Sequence, residues 1–328
     1  MLRLIPQSSC SFTDQGCICT NVDLNLKISE CVEVGCTVKE SLTTKNASES
    51  ACGAPVRDRT KAVSVTGIVG GALALLAVSL RLLARRPGAG GGEFGLDDWT
   101  IIGTMLLVIP LSGLSLVLAN HGLGKDIWTV PFEDIMHVLY IYYFDESLYL
   151  ASLALTKISI LFFYLRIFPE RNFRRVVYGV MACCVGYIVA FVLISVFQCR
   201  PIPFSWKRWD GEHKGTCNNI NAQSWAASAI NIFLDLFVIF LPMPQLAKLA
   251  LSFRRKIQIM LMFGVGFFIT IVSILRLKSL IEFGNTQNLT WDYVPLGYWS
   301  TVEIHVGIIC SCMPALRALV RSWRPTMF

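Results

Sequence analysis

Asp145, Glu146, Lys157, Asp235, Arg276, Lys278 and Glu303 are ionisable residues well inside long apolar runs of this 328-residue chain. A charge placed in a membrane costs about 2.5–3.5 kcal/mol on insertion scales, so such groups are expected to face protein and to pair. Depths follow from the helical rise. Arg276 and Glu303 fall about 7 and 10 Å below one edge of their runs, which predicts an ion pair that Asp145 or Glu146 completes. Lys157 and Asp235 fall about 12 and 16 Å above the other edge, which predicts a second, deeper pair. Two chemistries are open. Asp145, Glu146, Arg276 and Glu303 could line a polar pocket for a small ligand, or the pairs could simply lock helices together.

Cysteine offers the other chemistry. Cys10, Cys17, Cys19, Cys31, Cys36 and Cys52 crowd the first part of the chain, and Cys199 and Cys217 share one later linker. Six cysteines in so short a stretch predict a disulfide-stapled module too small for a core of its own. Spacing does not choose the pairing. Zinc is the rival reading, but thiolate zinc sites favour cysteine pairs with two to four residues between them, whereas a single residue separates Cys17 from Cys19. A Cys199–Cys217 disulfide would pin a loop over the pocket mouth. Cys183, Cys184, Cys310 and Cys312 lie in apolar runs and read as packing residues.

The elements that position these residues follow from composition. The chain is 54% hydrophobic and only 16% charged, which excludes disorder, a coiled coil and a nucleic-acid-binding tail. Seven apolar runs are each long enough to cross a bilayer: Val63–Leu83, Trp99–Ala119, Ile135–Leu165, Val176–Phe197, Ser224–Leu246, Ile257–Ile281 and Leu296–Leu319. They are hydrophobic all round, which predicts helices rather than a barrel. The third is overlong and is expected to tilt or protrude. The fold class is therefore an all-α, seven-helix membrane bundle with a small disulfide-rich amino-terminal ectodomain. Residues 1–61 form the cysteine-rich segment, 62–320 the seven-helix domain and 321–328 a short cytoplasmic tail.

Orientation comes from Lys and Arg. Arg85, Arg86, Arg166, Arg171, Arg174, Arg175, Lys248, Arg254, Arg255, Lys256, Arg317, Arg321 and Arg324 all fall on one side, which is then cytoplasmic and puts the amino end outside. The sequons at Asn46 and Asn288 fall on the outer side, as glycan acceptors must. Trp206, Trp209 and Trp225 fit an interfacial belt, and Asn120, His121 and Trp128 a turn at the pocket mouth. The Gly88–Gly92 stretch reads as a flexible linker. Enzyme motifs are lacking: the sequence shows no nucleophile elbow, P-loop or dinucleotide fingerprint. Of four His, only His305 lies well inside a run.

Two resemblances sharpen this reading. The run CSFTDQGCIC (Cys10–Cys19), followed by Cys31, Cys36 and Cys52, resembles the second part of a CFEM domain, the cysteine-rich extracellular module of fungal membrane proteins. That family carries eight cysteines. The first two and a signal peptide are missing here, which implies a chain short at its start and thiols left unpaired. The family also implies haem, with Asp14 as axial iron ligand; the alternative is that Asp14 caps a helix. GLDDW (Gly95–Trp99), HGLGKDIW (His121–Trp128), LTKISILFFYLRIF (Leu155–Phe168), FQCRPI (Phe197–Ile202), DLFVIFLPMPQL (Asp235–Leu246) and EIHVGIICSCMPALRAL (Glu303–Leu319) resemble the fungal rhodopsin-domain family. The resemblance implies a receptor of the plasma membrane that answers an extracellular ligand and meets a heterotrimeric G protein at its basic loops. Transporter and surface adhesin are the alternatives. Retinal is not expected, because Leu296–Leu319 holds no Lys for a Schiff base. Membrane lipids are expected partners and nucleic acid is not.

Overall fold

The structure, a computed structural model, describes residues 5, 8–11, 13–86, 93–247, 253–282, 284 and 286–323. The Gly88–Gly92 stretch, Lys248 and Arg324 lie outside the described residues, as do the side chains of Arg254, Arg255, Lys256 and Arg321.

Three short helices build the amino-terminal module: α1 (Gln15–Thr20), α2 (Val22–Gly35) and α3 (Val38–Ala51). Each is started by a polar cap that satisfies a free backbone N–H. Asp14 accepts from the Cys17 amide and Asn21 from the Leu24 amide, while Thr37 and Glu40 form a reciprocal capping box. Only Cys10, Leu24 and Ile28 form a buried cluster, so disulfides carry much of the module. Cys10 bonds Cys17 and Cys19 bonds Cys52. The assignment of all six to disulfides is corrected: Cys31 and Cys36 are free and exposed, unpaired thiols of the kind the resemblance implies. The other four are paired among themselves. Cys31 lies on α2 and Cys36 follows its last residue, five positions on; the helical rise over that span is about 7.5 Å, more than a disulfide bridges.

Seven helices among the described residues are long and apolar enough to cross a membrane. They are α4 (Thr60–Ala84), α5 (Leu96–Asn120), α6 (Phe132–Ile167), α7 (Arg171–Val196), α9 (Ile220–Phe240), α11 (Phe253–Glu282) and α12 (Leu289–Trp323). A four-residue helix, α8 (Phe204–Lys207), lies in the loop after α7, and α10 (Met243–Ala247) follows α9. The fifth run was expected as one helix to Leu246. It breaks after Phe240 because Pro242 and Pro244 cannot continue the hydrogen-bond ladder.

The helices close a ring in chain order, α4–α5–α6–α7–α9–α11–α12, with α12 returning to α4. The third helix also touches α9 and α12 and is the central one: 61% of its apolar window is buried, against 28% for α4 and α7. At 36 residues it is about 54 Å long, well beyond a hydrocarbon core of about 30 Å. Its projecting end carries Phe132 and Tyr140 onto Trp209 and Trp206 of the loop after α7. That loop holds a two-stranded ribbon, β1 (Cys199–Arg200) with β2 (Thr216–Cys217), closed by a Cys199–Cys217 disulfide. Small residues seat α4. A Cβ at Gly67 would collide with Ser115, and one at Gly70 or Gly71 with His305 or Ser112.

Candidate functional site

Tyr142, Asp145, Glu146 and Tyr149 recur on one face of α6 at helical spacing. They line a cleft of about 130 Å³ that opens toward the amino-terminal module's side of the bundle. Arg276 of α11 and Tyr293 of α12 line the opposite wall, and Gln198 and Arg208 reach it from the α7–α9 loop. Tyr142 and Tyr293 stack at 5.4 Å. Glu146 accepts a hydrogen bond from Ser195 at 3.1 Å.

The expected Arg276–Glu303 ion pair is not formed, and neither Asp145 nor Glu146 forms one with Arg276. Tyr149 stands between the two charges. The Arg276 guanidinium lies over the Tyr149 ring, 4.2 Å from its centre, while the Tyr149 hydroxyl donates to Glu303. Arg276 donates to Ser300 at 3.0 Å and Ser228 at 3.2 Å, both neutral. Glu303 is 1% exposed and lies beneath the cleft, outside its lining. It accepts from Ser273 at 2.5 Å and Asn231 at 2.8 Å. Asn231 in turn accepts from Lys157 at 2.7 Å, and Lys157 lies 3.0 Å from Asp235. Cleft, Tyr149, Glu303, Asn231 and the Lys157–Asp235 pair are thus one connected polar chain. Lys278 departs from expectation: it faces outward and pairs with Glu282 one turn on, at 3.5 Å.

Toward the opposite face sits a cluster that sequence reading missed. Arg81, 1% exposed, donates to Asp98 at 2.8 Å, to Asp97 at 2.7 Å and to the Ser311 carbonyl at 2.5 Å. Arg85 lies 2.9 Å from Asp97 and 3.2 Å from Asp98, and Arg166 lies 3.5 Å from Asp97. Ser159 donates to the Asp97 carbonyl at 2.8 Å. Four helices, α4, α5, α6 and α12, meet there. The signal was an Arg near the end of the first run facing the two acids that open the second. In the sequence, Arg85 and Arg166 signal only orientation.

The amino-terminal module docks beside the cleft. Arg57 pairs with Asp126, and both Arg57 and Arg59 cover the Trp291 ring. Lys45 lies over Trp128. Lys39 reaches Glu212 at 2.8 Å and Asp210 at 3.6 Å. Burial alone would raise the Asp210 carboxyl, but hydrogen bonds from His213 and the Glu212 amide, with the Lys39 charge, hold it below its ordinary value. Asn288 is drawn into this region. Its oxygen accepts from the Ile127 amide at 2.9 Å and its nitrogen donates to Asp126 at 2.8 Å, while Thr290 is 2% exposed. This sequon is packed as a strut, whereas Asn46 is exposed on α3.

Asp14 is exposed, with its carboxylate turned back onto its own helix, 3.0 Å from the Cys17 amide. The module's buried apolar side chains pack on one another rather than lining a slot. As arranged, these residues do not fit an axial haem site, and the cap is the role the structure gives Asp14.

Fold and composition define an integral, multi-pass membrane protein of seven helices behind a cysteine-rich module. A family model described as the fungal rhodopsin domain matches residues 80–322, and the chain belongs to that family. The CFEM domain model matches residues 1–53. Among curated relatives, a SAT4 family membrane protein of Emericella nidulans is 34% identical over 206 residues, 62% of this chain and 51% of its own. A protein named Receptor GIN3 of Arthrobotrys oligospora is 24% identical over 252 residues, 76% of this chain and 60% of its own. Fugralins biosynthesis cluster protein 2 of Gibberella zeae is 23% identical over 201 residues, 59% of this chain and 49% of its own. The chain therefore spans about half to three-fifths of the length of these relatives. No solved structure matches.

Proposed function

We propose that the protein is a non-enzymatic receptor of the plasma membrane, with its amino-terminal module outside, that binds a small polar ligand in the Tyr142–Tyr149 cleft. The observation that carries this reading is the connected chain from the cleft to the bundle core. Arg276 keeps a positive charge whose nearest partners are neutral hydroxyls and an aromatic face. Asp145 and Glu146 supply carboxyl groups across the cleft. A small zwitterion meets both. Its anion would draw the guanidinium off Tyr149, and the Tyr149 hydroxyl would carry that change to Glu303 on α12. The same helix presents the Ser311 carbonyl to Arg81, so a shift of α12 would reach the opposite face. Arg166, Arg174 and Arg175 would there face a heterotrimeric G protein. The name of the Arthrobotrys relative supports a receptor role.

The test is a screen of small polar and zwitterionic metabolites, read by G-protein recruitment in cells expressing the full chain. Tyr149→Phe keeps the ring over Arg276 and removes the hydroxyl. It is expected to retain binding of a hit within a few-fold and to lose most of its signal. Ligand-dependent uptake or current in proteoliposomes without recruitment would replace this reading with a transporter. Full activity of the module on an unrelated anchor would replace it with an adhesin.

A further inference from the structure

The end of α5 and the first turns of α6 meet in a group of side chains that the cleft does not use. His121 follows the last residue of α5, and Asp134 and His137 sit three apart on α6. The two imidazoles stack, with ring centres 5.3 Å apart and planes 19° from parallel. His121 Nδ1 lies 2.6 Å from Asp134 Oδ1. His137 Nδ1 lies 2.8 Å from the Glu133 carbonyl, so Nδ1 donates and the lone pair is left on Nε2. One donor atom from each of the three residues lies within 4.8 Å of the others. All three residues are at least partly open to solvent.

We infer that His121, Asp134 and His137 form a binding site for a divalent transition-metal ion on the face that carries the amino-terminal module. Zinc lies about 2.0–2.2 Å from N and O donors, so donors around a tetrahedral ion sit about 3.3–3.6 Å apart. Torsion of the three side chains would bring donors now within 4.8 Å of one another onto that spacing, a movement of about 1 Å. Two imidazoles and one carboxylate, with no thiolate, suit zinc, copper(II) or nickel rather than calcium or magnesium. The Glu133 carbonyl behind His137 is the outer partner that ligating imidazoles usually have. Three protein ligands leave a position open to water or to an external donor. A bound ion would also cross-link the two ends of the 122–131 loop. That loop turns through Gly122 and Gly124 at φ +94° and +110° and carries Asp126, the partner of Arg57 and Asn288. Metal binding would thus stiffen the seat of the amino-terminal module.

The experiment titrates zinc into the purified full chain in nanodiscs. Cys31→Ser and Cys36→Ser are introduced first, since these free thiols would bind zinc themselves. One saturable site and a zinc-dependent rise in Tm are expected. His121→Ala or His137→Ala, each checked for monodispersity and helical content, should weaken binding at least about tenfold. Asp134→Asn, which keeps the side chain's size, should weaken it too. His213→Ala, which removes the histidine beside Asp210, should leave it unchanged. Cobalt should give a ligand-field absorption in the parent that the His121→Ala/His137→Ala protein lacks. The inference is overturned if the parent shows no saturable zinc site. It is equally overturned if the folded His121→Ala/His137→Ala protein binds zinc as tightly as the parent.

Discussion

Tyr149 does two things with one side chain: its ring faces a buried cation and its hydroxyl faces a buried carboxylate. Depth along a helix is legible in a sequence, so Arg276 and Glu303 could be brought to one level. Direction around the helix is not, and the residue that comes between them stayed hidden. For Lys157 and Asp235 the same arithmetic sufficed, because a Lys stem spans the offset between them and their faces coincide. Removing one member of such a buried pair strands the other. Lys157→Met should therefore cost about 3–5 kcal/mol, and Lys157→Met with Asp235→Leu should recover most of it. Thermal unfolding in detergent measures both. A double variant no more stable than the single one would show that Asn231, rather than charge pairing, holds this region.

Helix α4 is seated by its glycines, and substitution there should split by face. At Gly67 a Cβ would overlap Ser115, so Gly67→Val should open the α4–α5 seam and destabilise by about 1–3 kcal/mol. At Gly103 of α5 a Cβ meets nothing within 4 Å, so Gly103→Ala should be neutral or stabilise by up to about 1 kcal/mol. The unfolding midpoint should fall in Gly67→Val and hold or rise in Gly103→Ala. The existence of these helices was legible because each apolar run is long. Their ends were less so: α6 starts three residues earlier than its apolar run, and prolines end α9 before its run does. The Arg81–Asp97–Asp98 cluster escaped notice because its members lie at the borders of two runs, where charge reads as topology. Removing the Arg81 charge with Arg81→Met should cost about 3–5 kcal/mol by leaving two buried carboxylates with only Arg85 and the more distant Arg166 close by.

At the scale of the whole molecule, the module is held to the bundle by ion pairs that join half-open Lys39 and Arg57 to the buried Asp210 and Asp126, and acid should loosen the Asp210 contact. The Asp210 carboxyl titrates below its ordinary value in the folded protein. Its contribution is therefore complete above about pH 4, the unfolded value, and fades as pH falls through the lower folded one. Glu40 is held low by the Thr37 amide and hydroxyl, so the α3 cap fades in the same window. Hydrogen-exchange protection in α3, corrected for the intrinsic rate at each pH, should fall as pH drops below about 4. In Asp210→Asn protection should already be lower at pH 7, with a smaller further loss on acidification. Unchanged α3 exchange in that variant would separate the docking from Asp210.

One helix, α12, supplies Glu303 to the polar chain below the cleft and the Ser311 carbonyl to Arg81, about 12 Å further along its axis. Two sites that share one rod exchange free energy in both directions and in equal measure. Whatever factor a cleft ligand adds to the affinity of a partner on the far face, that partner must return to the ligand. The far side of the membrane is thereby a place from which cleft affinity can be set, even by a partner that never touches the ligand.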